Sequence, residues 1–127
     1  MEKTITVGGK DYRMRASALI PRLYRYKFRR DMIADMRQLE KDFKKAINLQ
    51  KDATEEEIQD AELSVLDLTI FENVAWLMIQ NAGEDVPNDP DAWLDTIDGI
   101  FSIYEVLPQI LDMWEANLET TSVSVKK

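Results

Sequence analysis

The chain has no cysteine and no histidine. Their absence excludes disulfides, thiolate nucleophiles, imidazole acid–base chemistry and zinc sites of the usual kind. Glycine and proline are scarce, four of each in 127 residues, so each one marks a local event. No glycine-rich phosphate loop is present: Gly8-Gly9 sit between two alternating segments, while Gly83 and Gly99 stand alone. The longest apolar run, Val74 to Ile79, falls far short of the roughly 20 residues that span a bilayer as a helix. Met1 to Thr6 is polar and no hydrophobic stretch follows, which reads as a cytoplasmic chain without a secretory signal and without a membrane partner.

Basic residues are missing from more than half of the chain. Residues 1–51 hold 14 Lys+Arg against 6 Asp+Glu, a balance of +8. Residues 52–127 hold 2 against 18, a balance of -16, and the two sum to the net charge of -8. Such a split lets the halves attract each other within one fold, or lets a basic face of one copy meet an acidic face of the next in a head-to-tail assembly.

The length fits one domain, 1–127. Thr4-Ile5-Thr6-Val7 alternates, Gly8-Gly9 is a two-residue turn signal, and Lys10 to Arg15 alternates again. The pattern predicts a β-hairpin over 3–15 with Tyr12 and Met14 on one face. A helical body over 17–119 follows. Ser17 is placed to cap a first helix with Pro21 in its opening turn. Asp31 is placed to cap a second, 32–50, with Ile33, Met36, Leu39, Phe43, Ala46 and Ile47 as its apolar stripe. A third is read from a capping box at Thr54 and Glu57 through to Gly83, its second half apolar nearly all round and therefore central, with Phe71, Trp76 and Met78 in the core. Asp89-Pro90 opens a fourth helix. Ile100 to Asn117 reads as a fifth, kinked or split by Pro108. Residues 120–127 read as an extended or frayed tail. The class is mainly α, an N-terminal β-hairpin followed by a bundle of four to five helices.

Carboxylates are abundant, but no pair is singled out as an acid–base couple. Asp85, Asp89, Asp91 and Asp95 lack the loop glycine and terminal Glu of a calcium loop, and Pro90 interrupts them. No catalytic, metal or cofactor site is assigned. Arg22, Arg25, Arg29 and Arg30 share a basic, aromatic stretch with Tyr24, Tyr26 and Phe28. Interleaving of this kind suits phosphate and base stacking, but a pI of about 4.6 and an acidic second half oppose a polyanion. The reading is no nucleic acid.

Three segments together resemble a known family: Thr4-Ile5-Thr6-Val7-Gly8-Gly9-Lys10-Asp11-Tyr12, then Tyr24 to Met36, then Asp89-Pro90-Asp91-Ala92-Trp93-Leu94. The chain is similar to the tail assembly chaperones of long-tailed phages and Gram-positive prophages over most of residues 3–118. Tyr24, Arg25, Phe28 and Asp31 form the most specific part, a Tyr-Arg-x-x-Phe-x-x-Asp pattern. Where that family leads one to expect a glycine between helices, Arg29-Arg30 stand here. The resemblance implies a non-enzymatic protein that binds the tape measure protein, keeps its hydrophobic helices soluble while major tail tube subunits are recruited, self-associates, and is absent from the mature virion. It also implies a longer product made by frameshifting. A helix-binding groove for such a partner would draw on Trp93, Tyr104, Leu107, Leu111 and Trp114, or these are core residues. Arg22, Arg25, Arg29 and Arg30 are the candidates for self-association. The alternative function is an acidic regulatory or anti-defence protein that mimics nucleic acid, and an enzyme comes third.

Overall fold

The computed structural model describes residues 2–52, 63–99 and 101–126, with the ends of the second helix (from 48) and the last helix (from 116) as backbone only. The order is a hairpin of β1 (Glu2–Val7) and β2 (Lys10–Arg15), then α1 (Ile20–Phe28), α2 (Met32–Asp52), α3 (Val65–Asn81), α4 (Pro90–Asp95) and α5 (Ile103–Lys126). Among the described residues no helix is long and apolar enough to cross a membrane.

The hairpin forms where the alternation places it. Its strands are antiparallel with Ile5 opposite Tyr12 and Val7 opposite Lys10. Gly8 and Gly9 both have positive φ, 58° and 77°, the backbone that a two-residue turn matched to strand twist requires. Ile5, Val7, Tyr12 and Met14 point to one buried face. A two-stranded sheet cannot stand alone in water, and this one lies against α3 through β2 and against α5 through β1. Lys3 pairs with Asp112 of α5 at 3.3 Å. At the outer edge of β2, the Arg13 N–H donates to the Glu84 carboxylate at 2.9 Å, so one open strand-edge donor is already taken.

α3 is the centre. It touches β2 and every other helix, and from Ile70 to Ile79 only Glu72 and Asn73 escape full burial. Phe71, Trp76 and Met78 are core, as their spacing suggests. The N-terminus differs from the sequence reading. Ser64 has extended backbone, its hydroxyl accepts the Asp67 N–H at 3.0 Å, and the Asp67 carboxylate accepts the Ser64 N–H. This reciprocal box starts the helix at Val65, so the helix does not run through from Thr54. The Thr54 cap lies outside the described residues. Val65, Leu66 and Leu68 are exposed rather than part of the buried face.

Two further boundaries move. The residue before α1 is Leu19, with no side-chain cap. Ser17 instead accepts the Ile20 N–H through its carbonyl and meets the Asn81 amide with its hydroxyl. α5 begins at Ile103 and continues across Pro108 to Lys126, so the chain is helical where an extended or frayed tail is expected. Asp89 caps α4, accepting from the Ala92 N–H with Pro90 at the first position. Asp31 caps α2, accepting from the Ile33 N–H at 3.0 Å.

The two hairpin glycines differ in what surrounds them. A Cβ on Gly8 would lie 3.2 Å from Ile97 Cγ2 and 3.3 Å from the Asp98 carbonyl, whereas one on Gly9 would meet nothing within 4 Å. Both substitutions carry the left-handed backbone cost of about 1–2 kcal/mol. Gly8→Ala therefore destabilises the fold more than Gly9→Ala, a ranking to be read from urea-denaturation midpoints at unchanged slope.

Candidate protein-interaction surface

The corner between α1 and α2 is built by one residue in an uncommon conformation. Arg29 ends α1 with φ 59° and ψ 36°, and its N–H donates to the Arg25 carbonyl. This is the left-handed cap usually given to glycine. It answers the absence of a glycine at this turn: Arg29 takes the backbone that glycine would take.

What holds the turn is a buried carboxylate three residues into α2. Asp35 is 7% exposed. It accepts from Arg30 through both oxygens, Nε at 2.7 Å and Nη2 at 2.9 Å, and from the Tyr24 hydroxyl at 2.8 Å. A buried carboxylate without partners is costly, and here the fork of Arg30 matches it in two-point geometry. Burial pushes the Asp35 carboxyl up, but the bonds from Arg30 and Tyr24 outweigh it and hold the group below its ordinary value. Burial, then the Asp35 bond, pushes the Tyr24 phenol upward, so it stays a donor. Tyr24 packs on Phe28 and Phe28 on Trp76, centroids 5.0 and 6.2 Å apart, which ties the latch to α3.

With Arg30 paired to Asp35 while its side chain stays about half exposed, Arg22, Arg25 and Arg29 remain, among the described residues, unpaired on the outside. They line an open cleft of about 830 Å³ together with Tyr26, Ile33, the Asp35-paired Arg30 and Asp31. None of the three makes an ion pair among the described residues. Tyr26 is 61% exposed and Ile33 47%. Ile33 was expected in the buried stripe. Met32 takes that place, since the corner sets the rotation of α2 so that Met32, Met36, Leu39, Phe43 and Ala46 face inward. Asp35 lies beside that stripe, and a carboxylate against an apolar face demands a partner. That signal was in the sequence and was missed, as were the outward Tyr26 and Ile33.

The five residues considered for a helix-binding groove do not form one. Trp93 has no exposure, lying edge-on to Tyr12 at 5.8 Å and to Phe101 at 5.4 Å. Leu107, Leu111 and Trp114 face the core from α5. Tyr104 alone is exposed, tilted against Phe43 at 5.8 Å. Trp114 reaches the surface only in a shallow recess of about 160 Å³ with Ile33 and Met36. The amphipathic pattern of α5 is satisfied by burial against α3 and β1. The structure brings all four arginines to the one cleft, three of them unpaired among the described residues and the fourth, Arg30, held by Asp35.

Elsewhere, burial pushes up the carboxyls of Asp67, helped by Asp42, and of Glu72, helped by Asp91. Among the described residues no three His, Cys, Asp or Glu are placed to hold a metal. The chain matches no protein-family model, no curated protein and no solved structure.

Asp35→Asn should cost about 2–3 kcal/mol at pH 7 by weakening bonds that depend on its charge. A carboxyl whose folded pKa is depressed contributes stability that is full above the unfolded value of about 3.9 and is lost as pH falls through the folded one. The gap between wild type and Asp35→Asn should therefore shrink below about pH 4, as measured by denaturation across pH. Taking the difference cancels Asp67 and Glu72, whose raised values act in the opposite sense.

Proposed function

We propose that this chain is a non-enzymatic assembly factor acting through protein–protein contacts, specifically a phage tail assembly chaperone. It would bind a tape measure protein and keep it soluble while major tail tube subunits are recruited, in the bacterial host cytoplasm and outside the mature virion. The observation that carries this reading is how the Tyr-Arg-x-x-Phe-x-x-Asp segment is used. Tyr24 and Phe28 anchor the corner to the core, Asp31 caps α2, and Arg25 is left facing outward beside Arg22 and Arg29. The pattern that resembles the family serves to display a surface.

Self-association has a basis in the charge split. The pairs that cross between the basic and acidic halves among the described residues are Lys3–Asp112 and Arg13–Glu84. Both are exposed, so solvent screens them and neither ties the halves together strongly. The cleft arginines remain free to meet the acidic surface of another copy.

Co-expression with the tape measure protein of the same genome tests the reading. The tape measure protein should stay soluble and co-purify with this chain; its precipitation even with the longer frameshifted product supplied overturns the chaperone. Reversing Arg22, Arg25 and Arg29 to Glu should reduce assembly size in light scattering, as should high salt. Assemblies indifferent to both would mean that the charge split acts within one chain.

A further inference from the structure

Tyr26 stands as a ridge between two recesses of different chemistry. On one side is the basic cleft, whose Arg25 and Arg29 guanidiniums make no hydrogen bond or ion pair among the described residues, while Arg22 meets only the Tyr26 hydroxyl at 3.5 Å and its ring at 5.7 Å. On the other is a recess of about 300 Å³ bounded by Leu23, Trp76 and Leu77 and rimmed by Lys27, Gln80 and Asn88. The polar groups of this second recess are already engaged with one another. The Trp76 indole N–H donates to the Pro87 carbonyl at 2.9 Å, Lys27 donates to the Asn88 carbonyl and lies over the Trp76 ring, and Gln80 bonds the Asn88 side chain. One side therefore offers unspent cationic donors, which suit carboxylates. The other offers apolar walls with the indole N–H already bonded and Lys27, Gln80 and Asn88 tied to one another at the rim, which suit an aliphatic side chain.

We propose that the α1–α2 corner is a two-part docking site for a peptide segment of a partner protein that carries carboxylates beside an aliphatic residue. The carboxylates sit on Arg22, Arg25 and Arg29, the chain crosses Tyr26, and the aliphatic side chain enters the recess on Trp76. A nucleic acid would satisfy the arginines, but a polyanion must approach a chain of net charge -8, whereas a short acidic peptide carries few charges and gains from the apolar half. The proposal goes beyond the chaperone reading because it names only a chemistry. Failure to solubilise a tape measure protein would leave it standing, and its own failure would leave the chaperone test untouched.

The test titrates the full chain against a fluorescein-labelled peptide of repeating Glu-Glu-Leu, followed by anisotropy and by the indole N–H resonance of Trp76 in a proton–nitrogen spectrum. The peptide should bind and move that resonance. Glu→Gln or Leu→Ser versions of the peptide should each bind at least about tenfold more weakly, as two weakened surface contacts imply. In the protein, Arg22→Glu with Arg25→Glu should weaken binding similarly, while a Lys-Lys-Leu peptide, ignored by the wild type, should bind that variant. Tyr26→Ala, a change at an exposed position that borders both recesses and contacts Arg22, should weaken both the Glu-dependent and the Leu-dependent parts. Equal binding of the Leu→Ser peptide overturns the two-part site. Tighter binding of oligothymidylate of the same length than of the peptide overturns the peptide in favour of nucleic acid. Peptide binding competes with the self-association proposed above, and a reversal of Arg22 and Arg25 that reduces assembly size but leaves peptide binding unchanged overturns the peptide site in favour of a second copy.

Discussion

The Asp35 carboxylate is the constraint on which the α1–α2 corner of this fold depends. It lies buried three residues into α2 and is answered by Arg30 on one side and Tyr24 on the other. Neither answer is possible unless the chain reverses between Phe28 and Met32, and the reversal is made by Arg29 in a left-handed conformation that costs a non-glycine residue about 1–2 kcal/mol. The charge-assisted bonds offset that strain. They also set the rotation of α2, so that Met32 turns inward and Ile33 outward, and they pair Arg30 within the basic cluster. The surface left behind, three arginines around Tyr26 and Ile33, is a by-product of satisfying one buried charge.

The rest of the molecule serves as a foundation for that corner. α3 has almost no polar face over its second half, so β2 and the other helices must cover it. α1 reaches it through the Tyr24, Phe28 and Trp76 rings, the hairpin through its buried Ile5, Val7, Tyr12 and Met14, and α5 through Leu107, Ile110 and Trp114. Asn81 at the end of α3 bonds the Arg15 carbonyl and the Ser17 hydroxyl, which fixes where α1 begins. The recess beside Tyr26 is therefore floored by buried core residues of α3, Trp76 and Leu77.

Elements punctuated by local chemistry were legible in the sequence: the Gly8-Gly9 hairpin, the Asp31 cap and the Asp89-Pro90 start need only near neighbours. The start of α3 was not, because Thr54/Glu57 and Ser64/Asp67 both carry capping-box chemistry and nothing local ranks them. Ile33 was misplaced because a 3.6-residue period fixes the stripe only to within one residue, and the choice is made by a contact from Tyr24 in another helix. The groove attributed to Trp93, Leu107, Leu111 and Trp114 failed for a related reason: an apolar helical stripe reads the same whether a partner or the protein's own core covers it. The arginines were legible as a cluster. That Arg30 would be paired to Asp35, and that the cluster would border an apolar recess, depends on the Arg29 backbone and on α3, which no local pattern contains.

Amide hydrogen exchange compared between wild type and Asp35→Asn tests the central claim most directly, since it reads each segment separately. If the carboxylate holds the corner, residues 24–36 lose protection in the variant while β1, β2 and the second half of α3 keep theirs. Unchanged protection across 24–36, or an equal loss everywhere, would show that the corner is held by core packing alone and that Asp35 is not its latch.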